Sequence, residues 1–559
     1  MSELSSIELK QRDPLQEDAH IDITDGEQGE PLVNKTTAQR DRDDLARVGK
    51  KEILKRNFTF LPILGFASTV IITWEAALIT MSIGLPNGGQ AGLIYGFIFI
   101  WIGMLAVFTT IGEIASIAPT SGGQYYWVFM LAPKSCRKFL SYMTGWTTLI
   151  GWQAVSVSTV YICATLVQGL IILTQPDANK PYWQGTLLLW AFILFCILFN
   201  TTLANMLPHV EGIGLAIHIV GFFAILVPLI YLAPHADPVE VFTSFRNDGM
   251  WPTQGVAFLV SINAAVFDFL GSDSVIHMAE EIRGAALIVP QTMVLSLVIN
   301  GVLGLAALIA VFFCVGNSNN ALEASLASST GYPFIEIFHS GVGSVAGATI
   351  MTTVILIMQT FAAIGLVATT SRIYWSFARD KGLPFSQTLS AVSNRQIPVN
   401  AVAFTVLATC IIGLLNLAGA TVFNDVVSLT VSALFTSYLL VCLLLLWRRC
   451  TGFISEARDM PNRERLCMVP EEGEKPIALA WGPWRVKGIP GIIVNAFACC
   501  FMTIIILFSF FPATINPTPA TMNMNVLMLG ASSLFAVIWY FFGGANKVYK
   551  GPVIDIDLE

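Results

Sequence analysis

Long apolar runs, almost free of charge, recur twelve times along this chain. They begin near Phe58, Ala91, Tyr142, Trp183, Gly212, Val256, Pro290, Val345, Asn400, Val426, Ile489 and Asn525. Each reaches the length of about 20 residues that a helix needs to cross the hydrocarbon core of a bilayer. The runs are continuously apolar and do not alternate at period two, which selects helices over the strands of a barrel. Composition agrees: of 559 residues, 55% are hydrophobic and 12% charged, about half the charged share of a soluble domain. The fold class is therefore an all-α polytopic membrane protein with about twelve spans, and disordered, collagen-like and disulfide-stapled classes are excluded. The third and eighth runs exceed what a crossing needs, so these helices are expected to tilt or to extend past the lipid.

Lysine and arginine set the expected orientation. With the amino terminus inside the cell, twenty-eight of the thirty fall on inside segments, and only Lys180 and Arg246 lie outside. That asymmetry places both termini in the cytoplasm. No cleavable signal is visible, so the first apolar segment is expected to serve as the targeting signal. Residues 1–57 read as an acidic, disordered cytoplasmic tail. Residues 58–447 read as a ten-span core that divides into 58–233 and 253–447. A polar loop follows at 448–488, then two further helices at 489–543 and a short tail at 544–559. Ten spans dividing five plus five suit the inverted repeats of secondary transporters.

Several classes lack their signature. There is no basic face for nucleic acid. No phosphate-cradling GxxxxGK[ST], no HExxH and no GxSxG is present, so pumping driven by ATP and hydrolysis have no motif. Most of the ten cysteines lie inside apolar runs, without metal-ligand spacing, and read as buried small residues. No metal and no cofactor is expected.

Ionisable residues inside a membrane helix are costly, and two spans concentrate them. Span 1 reads FTFLPILGFASTVIITWEAALITM, with Gly65, Ala67, Ser68, Thr69, Trp74 and Glu75. Span 6 reads GVAFLVSINAAVFDFLGSDSVIHMAEEI, with Phe267, Asp268, Phe269, Gly271, Ser272 and Asp273, then His277, Glu280 and Glu281. Asp273, His277 and Glu281 would share one face of a continuous helix. The stretch from Phe267 to Ser272 reads as a helix break, tolerated where a cavity or solute satisfies the freed backbone. Two broken helices meeting at the midplane would hold a solute: N–H groups for a carboxylate, carbonyls and acidic side chains for an ammonium, and aromatic faces for a cation. Plainer readings stand beside these. Gly65 and Ala67 also suit close helix packing. His277, Glu280 and Glu281 also suit a solvated helix end paired with Arg283, and His218 in span 5 suits a hydrogen-bonded packing residue as well as a proton relay.

Four segments carry a family resemblance: TWEAALITMSIGLPNGGQAGLIYG from Thr73, GEIASIAPTSGGQYYW at 112–127, GSDSVIHMAEEIRGAALIVP at 271–290 and SRIYWSFARDKGLP at 371–384. In this order, over about Asn57 to Tyr549, the chain resembles the amino acid–polyamine–organocation superfamily. It is most similar to the fungal amino acid/choline transporter branch. The resemblance implies a LeuT-like fold, with two inverted five-helix repeats and two extra helices, and alternating access driven by protons. It implies a solute site at Gly65 to Thr69 and at Phe267 to Asp273. It also implies conformational elements at Ser121-Gly122-Gly123 and at Arg379-Asp380, with His218, His277 and Glu281 as coupling or gating candidates. The Gly-x-Gly run usual in span 1 is here Gly65-Phe66-Ala67-Ser68-Thr69, a less open cradle, and span 5, which in some relatives has a lysine in a cation-like position, has no lysine here, only His218.

The expected function is secondary transport of a small amine-bearing solute such as choline, GABA, a polyamine or an amino acid. The partners are that solute, a coupling proton and the lipid bilayer, with no nucleic acid. The expected location is the plasma membrane, with an organelle membrane as the alternative. Export of a nitrogenous secondary metabolite, and a nutrient sensor built on the same fold, are the other readings.

Overall fold

The computed structural model describes residues 36–316, 321–418, 420–455, 479–519 and 521–555. After the short α1 (Thr37–Arg47) come α2 (Phe60–Ile71), α3 (Thr73–Ile117), α4 (Gln124–Leu131), α5 (Arg137–Thr174), α6 (Tyr182–Asn200) and α7 (Leu207–Leu232). A short α8 (Pro238–Thr243) leads to three pieces, α9 (Gln254–Ser261), α10 (Asn263–Phe267) and α11 (Ser274–His277). The chain continues with α12 (Ala285–Phe313), α13 (Ala321–Leu326), α14 (Pro333–Val342), α15 (Val345–Arg379), α16 (Ser386–Leu389), α17 (Val399–Gly413) and α18 (Ala420–Cys450). The last helices are α19 (Gly488–Phe508), α20 (Asn525–Phe541) and the short α21 (Ala545–Val548). Among the described residues the one sheet is a parallel pair, β1 (Ile454–Ser455) with β2 (Leu479–Ala480).

Among the described residues nine helical stretches are long and apolar enough to cross a membrane, and Gln254–Phe267 and Asn525–Phe541 are shorter apolar helices. The first stretch, Phe60–Ile117, has 58 residues, more than twice a crossing. It folds back on itself. Thr73 and Phe97 both flank Gly304, although a straight helix would hold them about 36 Å apart. The reversal is at Gly89, with φ 67° and ψ −174°. A side chain there would begin 2.5 Å from the Ser244 carbonyl oxygen. Only glycine meets both demands. With that hairpin counted as two crossings, the helices account for the twelve runs. α5 and α15, the third and eighth, are indeed long, at 38 and 35 residues.

α3 packs along α12, α2 lies on α7, and α5 lies between α15 and α18. Both described chain ends meet at one end of the bundle. Residues of the expected 1–57 tail before Thr36 lie outside the described residues. From Thr37 the chain forms α1 and buries Leu45, Val48, Lys50 and Leu54. Phe58 then bridges to Ile282 in parallel register, with Phe58 N–H donating to the Glu281 carbonyl at 3.1 Å.

Candidate functional site

Span 1 does break, three residues beyond the Gly65–Thr69 stretch. α2 winds through Gly65, Ala67, Ser68 and Thr69 to Ile71. Ile72 then takes left-handed angles, φ 40° and ψ 47°, and α3 starts at Thr73. A β-branched residue seldom adopts that conformation, so the surroundings must hold it. They do: Ile72 is buried and packs against Met358 and Ala362 of α15, and Asn300 Oδ1 accepts the Thr73 N–H at 3.1 Å. The ends created here face each other. α2 presents its last carbonyls, the negative end of its dipole, and α3 its first N–H groups, the positive end. Gly65 serves packing: a Cβ there would sit 2.8 Å from the Glu211 carbonyl oxygen of α7.

Span 6 breaks where the sequence placed it. α10 ends at Phe267, and turns run through Asp268–Asp273 before α11 resumes at Ser274. Gly271 has φ 111°, a conformation L side chains avoid. The two breaks touch, since a Cβ on Gly271 would lie 2.9 Å from Val70 Cγ1. Between them is a cavity walled by Ile72, Thr80, Thr159, Phe267 and Gln359, among other residues of α2, α3, α5, span 6 and α15. Its volume is about 20 Å³, room for one water molecule. A solute must part these walls to enter.

The titratable groups of the two spans are placed differently from the cavity. Glu75 Oε1 lies 2.8 Å from His218 Nδ1 of α7, and both side chains are fully buried. Trp74 turns the same way, its ring beside His218 and Phe222 and its Nε1–H donating to the His218 carbonyl at 3.3 Å. Phe269 packs on Phe97, with centroids 4.8 Å apart. Of the three aromatic candidates, Phe267 alone is among the residues walling the cavity. Asp268 accepts a hydrogen bond from Thr80 Oγ1 at 2.9 Å and lines a second, smaller cavity with Gly92, Phe97 and Ser261. Ser272 Oγ donates to the Met293 carbonyl at 3.0 Å. Glu211 of α7 is fully buried and accepts a hydrogen bond from Thr69 Oγ1.

The end of the bundle that gathers the chain ends is closed by polar pairs. α11 stops at His277, so Asp273, His277 and Glu281 do not share one helical face. Asp273 accepts from Gln124 Nε2 at 2.9 Å, His277 Nδ1 lies 3.0 Å from the Ser121 carbonyl, and Glu281 accepts from Arg372 at 2.8 Å. Glu280 binds both terminal nitrogens of Arg379, at 2.9 and 2.7 Å, the two-point geometry that suits a guanidinium. The Ser121 N–H adds a longer contact to Glu280 at 3.3 Å. The pairing with Arg283 is thus replaced by arginines from α15. Asp380 takes the ammonium of Lys50. Burial pushes the Lys50 ammonium below the usual lysine range, against the pull of Asp380.

The family model described as amino acid permease matches residues 58–534. The chain belongs to that family. Similar proteins include a choline transporter of Saccharomyces cerevisiae, 30% identical over 70% of this chain and 69% of its own length. An amino-acid permease of Arabidopsis thaliana is 27% identical over 92% of this chain and 96% of its own length. An uncharacterized amino-acid permease of Schizosaccharomyces pombe is 27% identical over 94% and 91%. The protein is a multi-pass membrane transporter, not an enzyme.

In this permease the breaks bring together Phe267, Gly271 and the end of α2, while Glu75, Trp74 and Thr69 turn to α7. Four polar residues at or near the site escaped the sequence reading. Thr80, Thr159 and Gln359 look like ordinary members of apolar runs. Glu211 stands just before Gly212, the expected start of span 5, and so outside the expected helix. Its helix in fact starts at Leu207.

Proposed function

We propose that this permease carries a small amine-bearing solute across the membrane by alternating access, coupled to protons. Residues 58–233 and 253–447 would act as inverted halves, and the solute would sit between the breaks at Ile72 and Gly271. The carrying observation is the cavity wedged between two interrupted helices. The carbonyl end of α2 suits an ammonium, the N–H start of α3 suits a carboxylate, and Phe267 offers a ring face to a cationic head. Gln359, Thr80 and Thr159 supply neutral hydrogen-bonding groups. The related choline transporter and amino-acid permeases support an amine as cargo. The bundle end that holds Lys50 and Val553 is the cytoplasmic one in this reading, following the lysine and arginine asymmetry, and the plasma membrane is the location.

Uptake of radiolabelled choline, GABA, a polyamine and amino acids into permease-deleted yeast, with and without a proton uncoupler, tests the reading. Saturable uptake of one class, abolished by the uncoupler, is expected. No uptake of any class by a surface-expressed protein rejects an amine importer, and uptake indifferent to the uncoupler rejects proton coupling.

A further inference from the structure

The contact between Glu75 and His218 joins two carriers of a labile proton, away from the cavity. Both side chains are fully buried. Among the described residues Glu75 Oε2 and His218 Nε2 have no hydrogen-bond partner, so no third described residue fixes where a proton resides. Among the described residues no cation balances the pair. α2 and α12, which pack on α7, contain no titratable side chain. The arginines of α15, Arg372 and Arg379, are committed to Glu281 and Glu280 at its far end. α14 brings Glu336 and His339, 3.9 Å apart and partly exposed. On α7 itself, Glu211 is two turns away with Thr69, and His209 is exposed. On α3, Glu113 is held by Arg449 at the opposite end.

Proton counting decides what such a pair does. In water near neutral pH a glutamate is ionised and a histidine mostly neutral, leaving the two with one net negative charge. Surroundings of low dielectric penalise that charge heavily. One added proton, on the carboxylate or on the imidazole, makes the pair neutral overall.

The location gives that proton leverage. Glu75 is the third residue of α3, just past the left-handed Ile72. With Trp74 it fastens the start of α3 to α7. On the same two turns of α3, Ala76, Ile79 and Thr80 wall the cavity. We infer that Glu75 and His218 together form the proton-carrying site of this permease, on the opposite side of those turns from the solute. The pair takes up its proton as the start of α3 seats on α7 and gives it up when that seat opens to water. The inference rests on the proton-coupled reading above.

The first test needs no substrate. Infrared spectra of the purified full-length chain in lipid vesicles are taken at about pH 8, above the ordinary imidazole range. Either a protonated-carboxyl band that Glu75→Gln removes, or an imidazolium band that His218→Asn removes, is expected. If neither variant removes a band, the pair holds no proton and the inference falls. The second test uses proteoliposomes and radiolabelled choline, GABA and putrescine. Counterflow reports the carrier cycle, and accumulation under an imposed pH gradient reports coupling. E75Q is expected to lose accumulation out of proportion to any loss of counterflow; equal losses, or none, overturn the inference. Wild-type protein that shows no counterflow with any probe speaks against the proposed function alone, and the infrared result still decides the proton site.

Discussion

Lys50 and Asp380, 330 residues apart in sequence, form an ion pair that solvent does not reach. Asp380 also accepts from Tyr125 Oη at 2.8 Å and from the Val553 N–H at 2.9 Å, and Lys50 donates to the Val553 carbonyl at 2.9 Å. One carboxylate thus ties the segment before α2, the start of α4, the end of α15 and the last described strand of chain. Segments that lie far apart in sequence are fixed to the element whose end carries Arg379.

Breaking this pair on one side strands a charge. Asp380→Asn leaves the buried Lys50 ammonium only the more distant Asp555 carboxylate, at 3.9 Å, and the expected loss is up to about 3–5 kcal/mol. Lys50→Met combined with Asp380→Asn removes both charges and should melt higher than either single variant. Thermal unfolding in detergent checks the order. Hydrogen exchange should quicken at residues 45–55 and 549–555 in the single variants. A double variant that melts below both singles contradicts the pairing.

Gly89 tests the hairpin between the first two crossings. Gly89→Ala meets a positive φ and a carbonyl oxygen at 2.5 Å together, so it is expected to cost more than the roughly 1–2 kcal/mol of a left-handed alanine alone. Gly212→Ala, in α7 with nothing within 4 Å of the new methyl, should stabilise by up to about 1 kcal/mol through helix propensity. Opposite shifts in Tm are expected from the same chemical change. Equal shifts would remove the steric argument.

What the letters revealed follows from what lipid and backbone demand. Continuous apolarity is imposed by the bilayer itself, so the crossings are legible from Phe58 to Asn525. Gly271 marks its own break because glycine is the residue that a positive φ requires. Ile72 gives no such signal. Its conformation is imposed by Met358, Ala362 and the Asn300 amide, which approach from distant parts of the chain. The same holds for Lys50, a polar-tail lysine by sequence that only the packed end of α15 makes a buried one. Glu75 was legible as an odd carboxylate within an apolar run, but its partner was not, since His218 lies 143 residues away.

Ile72 makes the strain measurable. Ile72→Gly loses a buried side chain, at about 2–5 kcal/mol, and recovers the roughly 1–2 kcal/mol of left-handed strain. Ile71→Gly, at the last residue of α2, loses a buried side chain of the same kind and adds at most the penalty of glycine in a helix, about 1 kcal/mol. Ile72→Gly should therefore be the milder of the two by about 1–3 kcal/mol. Paired melts in one detergent decide it. If Ile72→Gly is the more damaging, the break does not store strain.

Gln359 separates stability from solute binding, because one substitution should move them in opposite directions. Its side chain is 3% exposed, forms part of the cavity wall, and leaves Oε1 without a hydrogen-bond partner among the described residues. An unsatisfied buried acceptor costs about 1–3 kcal/mol, so Gln359→Leu, close in volume, should raise Tm or leave it unchanged. If the cavity takes the amine, the same change deletes an acceptor facing an ammonium, and a hydrogen bond to a charged group is worth about 1.5 kcal/mol or more. KM for the transported amine should then rise about tenfold with surface expression intact. Uptake kinetics alongside melting of the same preparation provide the check. A lower Tm would mean that Oε1 is satisfied through water, and an unchanged KM would take Gln359 out of the solute's path.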